Sequence, residues 1–183
     1  NLTSESDLLD LAGGTGDVSY MAASRRPPAH IQLTDFVPEM LDVAREREAA
    51  GAACGVPIDF EVVDAQEIPY ADNSYDAVTM AYGIRNIPDR MKALREVHRV
   101  LKPGGSFCGC FYVSGECRRT DRLIKKVYEP MKFFTPPYET VQSLKVRLEG
   151  MYADVQLGNV KSIAWFVCRK AERAKKMEEG YHE

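Results

Sequence analysis

The sequence predicts an α/β fold: a seven-stranded sheet, mostly parallel, with a C-terminal antiparallel hairpin and helices on both faces. Three observations predict it. Apolar runs of strand length alternate with stretches of helical periodicity, the pattern of βαβ units. The first of these runs ends in the glycine-rich turn Gly13-Gly14-Thr15-Gly16. The last two, Ala153 to Val160 and Ile163 to Lys170, are joined by a link too short for a crossover, so they must pair antiparallel.

Taken in order, Asp7 to Ala12 reads as the first strand, and the glycine turn leads into a helix ending near Arg25. His30 to Asp35 is the second strand. Pro38 suits the first turn of a helix that continues through Met40, Leu41 and Ala44. Phe60 to Asp64 and Tyr75 to Tyr82 are the third and fourth strands. Met91, Leu94, Val97 and Leu101 share one helical face, which Pro103-Gly104-Gly105 terminates before a fifth strand from Phe107 to Val113. Ser114 to Gly150 reads as an insertion plus the last crossover helix, broken at Phe133-Phe134-Thr135-Pro136-Pro137. The charged tail from Ala171 reads as a frayed helix.

A length of 183 residues suits one domain spanning 1–183. No apolar run approaches the ~20 residues that a membrane span needs. A net charge of -3 supplies no general basic field, so nucleic acid is not an expected partner; an oligomer is compatible with the composition. Five cysteines, an odd number without a secretory leader, fit a reducing compartment, and the expected location is cytoplasmic. The chain opens at Asn1 rather than at a methionine, almost directly in a buried strand, and reads as a portion of something longer.

In an open α/β sheet, ligands bind outside the carboxyl ends of the strands. After strand one, Gly13, Gly14 and Gly16 remove side chains that would hold a ligand off the backbone, and the following helix offers free N–H groups. After strand two, Asp35 lies nineteen residues beyond Gly16, close to the ~20 at which an acid meets a ribose diol. Asp64-Ala65 after strand three could meet an adenine edge, and Ala81-Tyr82-Gly83 after strand four could lie along the ligand. A dinucleotide site is the rival reading. It is opposed by Ser19, which stands at the third glycine position of G-x-G-x-x-G, and by the terminal hairpin.

Leu9-Asp10-Leu11-Ala12-Gly13-Gly14-Thr15-Gly16-Asp17, Tyr82-Gly83-Ile84-Arg85-Asn86-Ile87 and Arg99-Val100-Leu101-Lys102-Pro103-Gly104-Gly105 together resemble the class I S-adenosylmethionine (SAM) methyltransferases, in the form of the UbiE/MenG ubiquinone and menaquinone C-methyltransferases. The resemblance covers roughly Leu8 to Gly105, and its Gly-Ile-Arg-Asn segment is the narrowest part. It implies a Rossmann-like fold, SAM as cofactor and a small-molecule methyl acceptor, with a quinol- or phenol-like ring favoured. It implies that Thr15 and the glycines hold the methionine portion, Asp35 the ribose, and Asp64 with Ala65 the adenine; Asp10, Phe36, Met40 and Ala81 complete the cofactor set. Arg85 matches a substrate-side arginine that helps to activate the hydroxyl of the ring, and Tyr82 stands beside it as a pocket aromatic or a base. The chain departs from the family at Ala12, where many relatives have glycine, at Ala81, where serine is frequent, and at Phe111, where a glutamate is usual. Its Ser114 to Gly150 segment is shorter than the family's lid, and helices that precede strand one are absent.

Remaining features have plainer readings. Cys108 and Cys110 share one strand face with Cys117 nearby, but lack a fourth ligand for zinc and read as structural thiols, so no metal is expected. His98 is a partly exposed helical residue. Arg118, Arg119, Arg122, Lys125 and Lys126 form the one basic patch; a solvated helix face is preferred over a contact with an acidic partner or anionic substrate. A methyltransferase of another small metabolite and a non-catalytic partner subunit of the same fold are the alternatives to quinol methylation.

Overall fold

Leu8 and Leu9 point to opposite sides of one strand and both are fully buried, which marks a strand covered on both faces. The computed structural model describes residues 2–131, 134 and 136–172. Among these, seven strands form one sheet: β1 (Asp7–Asp10), β2 (His30–Asp35), β3 (Ile58–Val62), β4 (Tyr75–Ala81), β5 (Leu101–Tyr112), β6 (Asp154–Val160) and β7 (Ile163–Arg169). Their order is β3-β2-β1-β4-β5-β7-β6. The first five are parallel, while β7 pairs antiparallel with both β5 and β6, as the short link between the last two strands requires.

Five α-helices accompany the sheet: α1 (Asp17–Arg25), α2 (Pro38–Ala49), α3 (Arg90–Val100), α4 (Arg118–Leu123) and α5 (Val141–Glu149). On one face, Ala23 of α1 and Leu41 and Ala44 of α2 pack with Leu8, Ile31, Leu33 and Ala77. On the other, Ala93, Leu94 and Val97 of α3 and Leu144 and Leu148 of α5 pack with Leu9, Val78, Met80, Phe107 and Phe166. Fully burying each such leucine contributes roughly 1.5–3 kcal/mol. Helices therefore lie on both faces, but unequally. The core built by α1 and α2 reaches no further than Ala77 of β4. Beyond it, the cross-strand rows Thr79–Cys108–Val167 and Ala81–Cys110–Trp165 continue the same face, and Trp165 and Val167 remain 45% and 39% exposed.

Several boundaries differ from the sequence reading. β1 stops at Asp10 rather than Ala12, because Ala12 takes a left-handed backbone (φ 51) that leaves the strand. β3 runs earlier than Phe60 to Asp64, in a register that pairs Ile31 with Ile58 and Asp35 with Val62. Tyr82, also left-handed (φ 60), ends β4 one residue sooner. The largest change concerns Pro103-Gly104-Gly105, which does not end α3. The helix stops at Val100, Leu101 already pairs with Tyr75, and residues 102–105 bulge out before pairing resumes between Ala77 and Ser106. Lys102 Nζ anchors that bulge on Asp76 Oδ2 at 2.8 Å. The expected helix in the tail falls, from residue 173 onward, outside the described residues.

The turns after β1 and β4 touch. A Cβ added at Gly83 would collide with the Cβ of Ala12, whereas the Cα of Ala12 is 3.7 Å away, an ordinary contact. Gly83→Ala alone is expected to lower stability by roughly 1–3 kcal/mol, as overpacking does. Ala12→Gly in the same chain should return most of that loss, because it removes the colliding methyl. A double-mutant cycle by urea denaturation reads the coupling. Additive effects would show that these two turns do not pack as described.

Candidate functional site

The loops that leave β1, β2, β3 and β4 at their carboxyl ends surround a cleft of about 650 Å³, within the range of small-molecule sites. Gly13, Gly14, Thr15, Asp35, Phe36, Met40, Asp64, Ala65, Ala81, Tyr82 and Arg85 all line it. Asp10 and Gly16, expected beside them, do not.

Gly16 is buried at the start of α1 with φ 86, and a Cβ there would lie 2.5 Å from the Tyr20 ring. Its glycine serves the close packing of helix on strand, not the approach of a ligand. Asp10 is fully buried beneath the turn. Its Oδ2 accepts from Ser19 Oγ and its Oδ1 from Thr79 Oγ1, both at 2.7 Å, which ties α1 and β4 to the end of β1. Gly13 lies directly above: a Cβ there would sit 2.9 Å from Asp10 Oδ2. Asp10 therefore supports the turn from below and makes no contact with the cleft. Burial pushes its carboxyl up from 3.8 to about 6, opposed by the hydroxyls of Thr79 and Ser19 and reinforced by the charge of Asp35. Ser19, which breaks the dinucleotide fingerprint, is thus one of the groups that hold this acid.

Asp35 is aimed by the backbone. Gly14 N–H donates to its Oδ2 and Val37 N–H to its Oδ1, each at 2.9 Å. A carboxylate offers about four acceptor positions, so both oxygens keep capacity for a donor in the cleft. Asp64 is held differently: its Oδ1 accepts from the backbone N–H of Gln66 at 2.8 Å, and the Gln66 amide reaches both oxygens at 3.1 and 3.2 Å. Gln66 Oε1 in turn accepts from Asp89 N–H at 3.0 Å, joining the β3 and β4 loops. Thr15 is fixed through its carbonyl by Arg47 Nη1 at 2.6 Å, which also pairs with Asp17 at 2.8 Å. Asp17, Asp35 and Asp64 give the lining an acidic bias.

Tyr82 and Arg85 close the other side. The Cys110 thiol beside Tyr82, and then partial burial, push its phenol above the ordinary value. A phenol is a hydrogen-bond donor as well as an acceptor, so Tyr82 can offer its O–H to the cleft. Arg85 follows Tyr82 in a single 3-10 turn, Gly83–Asn86, where its Nε donates to the Tyr82 carbonyl at 3.1 Å and its guanidinium lies 4.3 Å from the Phe134 ring centroid. Arg85 also lines a second, small cavity of about 20 Å³, room for about one water. Ile84, Leu94, Phe111 and Leu144 form its apolar walls. Arg90, Tyr112 and Tyr138 also line it, as do Arg147 and Glu139, which pair at 2.9 Å, with Arg147 Nε buried and without a hydrogen-bond partner. Phe111, which stands where the resembled family places a glutamate, is buried against Phe166.

The sequence reading missed Arg47, Gln66, Glu139 and Arg147. Gln66 had a signal, since Asp-x-Gln is a side-chain turn that caps its own loop. The other three come from helices and a loop remote in sequence and have none. Among the described residues, no group of three or more His, Cys, Asp or Glu is placed to hold a metal. The described cysteines are all free thiols. No described helix is long and apolar enough to cross a membrane.

A family model described as the ubiE/COQ5 methyltransferase family matches residues 1–138. The chain is 41% identical over 143 residues to the ubiquinone/menaquinone biosynthesis C-methyltransferase UbiE of Bradyrhizobium diazoefficiens, covering 75% of this chain and 56% of that protein. It is 46% identical over 98 residues to the demethylmenaquinone methyltransferase of Thermus thermophilus, covering 54% and 43%. The chain spans about half the length of the curated relatives it matches. Among solved structures, a putative methyltransferase of Bacillus halodurans superposes with a TM-score of 0.76 at 17% identity, covering 93% of this chain and 94% of that one. Phosphoethanolamine N-methyltransferase 2 of Haemonchus contortus, solved in complex with S-adenosyl-L-methionine, gives 0.76 at 18%, covering 94% and 50%. At these identities the structural likeness is one of fold.

The buried acid sets a pH dependence. Asp10 holds its proton more tightly folded than unfolded, so its contribution to stability is fully present below about pH 4 and is lost as pH rises through about 6. The difference between 3.8 and about 6 corresponds to about 3 kcal/mol. Asp10→Asn cannot ionise. The stability of wild type minus that of the variant, from urea curves, should fall by about this amount between pH 4 and 7; a flat difference would contradict the burial of an ionisable Asp10.

Proposed function

Because the chain belongs to the ubiE/COQ5 methyltransferase family, we propose that it is a SAM-dependent methyltransferase of a small molecule, with C-methylation of a quinol- or phenol-like ring as its reaction. The observation that carries this reading is the position of Arg85, at the partition between an acidic cleft large enough for a nucleoside and a small cavity that mixes apolar side chains with Tyr112, Tyr138 and Arg147. SAM, when bound, supplies a methyl group already activated by a sulfonium charge, so the protein's task is alignment and electrostatics.

The cleft fits such a cofactor in size and in chemistry. Asp35 is positioned to accept from ribose hydroxyls, since its own two backbone donors leave acceptor capacity. Asp64 and Ala65 would meet the adenine edge, with Phe36 and Met40 as apolar rim at 69% and 46% exposure. Gly13, Gly14 and Thr15 would take the methionine portion, and Asp17, Asp35 and Asp64 favour a cationic ligand. Ala81 offers only a methyl to the floor. Asp10 keeps the glycine turn in shape from beneath.

On the acceptor side, a guanidinium has donors only, so Arg85 cannot take a proton from the ring hydroxyl. Its role would be to stabilise the oxygen anion that makes the neighbouring ring carbon nucleophilic, an electrostatic task. Tyr82 would add a second donor through its phenolic O–H. The five free thiols suit a reducing compartment, and we place the activity in the cytoplasm on that ground.

Calorimetric titration with S-adenosylhomocysteine, with NADH as control, should show binding that Asp35→Ala weakens at least about tenfold, the worth of hydrogen bonds to a charged group. Failure of S-adenosylhomocysteine to bind would overturn the cofactor. With labelled SAM and a set of quinol, phenol and amine acceptors, turnover should be confined to the phenolic rings. Arg85→Gln should lower kcat by about 10²–10³-fold, as loss of an oxyanion donor does, while leaving S-adenosylhomocysteine affinity unchanged. Turnover of amines alone would assign another metabolite.

A further inference from the structure

Helix α4 (Arg118–Leu123) runs on into a π-helical turn, Ile124–Tyr128, and the two present a divided outer surface. Arg118, Arg119, Arg122, Lys125 and Lys126 are all exposed, and none forms an ion pair with a described residue. The carboxylates of the same stretch are each tied to a hydrogen-bond donor. Asp121 accepts from the Tyr112 hydroxyl at 2.7 Å and from Gly115 N–H at 3.1 Å; Glu129 accepts from the Tyr138 hydroxyl at 2.9 Å; and Glu116 accepts from Asn159 on β6 at 3.1 Å. In a chain of net charge -3, five exposed cations here outnumber the two carboxylates, Asp121 and Glu129, between Arg118 and Met131. Beside the cations runs a second stripe, Leu123, Val127 and Met131, spaced by four and 48%, 42% and 57% exposed. Leu123 and Val127 lie four apart within the helical stretch, and Met131 follows in the turn after Pro130. Ile124, which is buried, anchors the opposite side.

We propose that this segment, Arg118 to Met131, docks the protein on an anionic lipid surface. A basic stripe alone would suit any polyanion. A nucleic acid or a free phosphate, however, has no use for three exposed aliphatic side chains set beside the charges, whereas a bilayer interface takes up both: headgroup phosphates meet the cations and the acyl boundary takes the apolar stripe. Three apolar side chains are too few for insertion by themselves, so binding rests on the two stripes together and is reversible. The inner side of the same segment carries Asp121 and Glu129, whose partners Tyr112 and Tyr138 line the small cavity next to Arg85. Docking would hold that cavity close to the membrane surface, where, on the reading proposed above, an apolar ring acceptor concentrates. The docking itself does not depend on that reading.

The test is sedimentation of the whole chain with vesicles of phosphatidylcholine alone, or of phosphatidylcholine mixed with phosphatidylglycerol. Wild type should sediment with the mixed vesicles, not with the neutral ones, and should be released by high salt. Each cation near an anionic surface contributes roughly fivefold in partition, so replacing all five with glutamine should abolish binding. Leu123→Ser with Val127→Ser and Met131→Ser should weaken it several-fold at unchanged charge. Thermal melting confirms that both variants fold. Equal partition of wild type to neutral and anionic vesicles would overturn the proposal. So would full retention of binding by the serine variant, which would reassign the basic stripe to an acidic macromolecule. Neither result depends on methyl transfer, so each is distinct from failure of the proposed reaction.

Discussion

The carboxylate of Asp10, buried without a cation beside it, is the constraint from which the cleft is built. With hydroxyl donors on both sides, Ser19 from α1 and Thr79 from β4, it fixes where the chain leaves β1 and where the next helix begins. It leaves no space above it for a side chain, which is why Gly13 stands there, and Gly13 N–H bonds the Thr34 carbonyl of β2 at 2.9 Å. From that turn Gly14 reaches Asp35, and the acid that faces the cleft is thereby aimed by the acid beneath it. Burying such a group is costly, and the cost is met by the packing of three elements around it.

Around this turn the molecule divides its two proposed tasks by polarity. The cleft side is acidic and knit by backbone donors. The far side of Arg85 is walled by side chains of the sheet core and of α3 and α5. Arg85 can face both because the β4 strand ends early, in the left-handed Tyr82, and the following 3-10 turn swings the guanidinium across the boundary. The close approach of Gly83 to Ala12 brings the β1 and β4 loops together at the same place.

The two ends of the sheet are finished differently. On the β3 side, α2 covers one face of the parallel edge, and Asp59 and Glu61 of β3 are exposed on the other. On the β6 side the antiparallel pair is covered by α5 on one face, while Trp165 and Val167 remain partly exposed on the other. An antiparallel pair readily keeps one face on the core and one in water.

The sequence by itself determined the architecture and most of the cleft. Alternation of apolar runs and helical stretches, a glycine turn after the first strand and a short final link were enough for seven strands with an antiparallel end. The position of Asp35 after the second strand and of Asp64 after the third located the lining, because an open parallel sheet always presents its strand ends together. Tertiary structure alone decided which conserved-looking groups face the cleft. Asp10 and Gly16 sit in the same motif as Gly14, yet strand alternation and the left-handed turn send them inward, and no local pattern states that. Nor could spacing reveal that Pro103-Gly104-Gly105 is a bulge within β5, because what ends α3 earlier is the pairing of Leu101 with Tyr75. Arg147 and Glu139 reach the cavity beside Arg85 through a helix and a loop some sixty residues further along the chain, and contacts of that separation exist only once the sheet has formed.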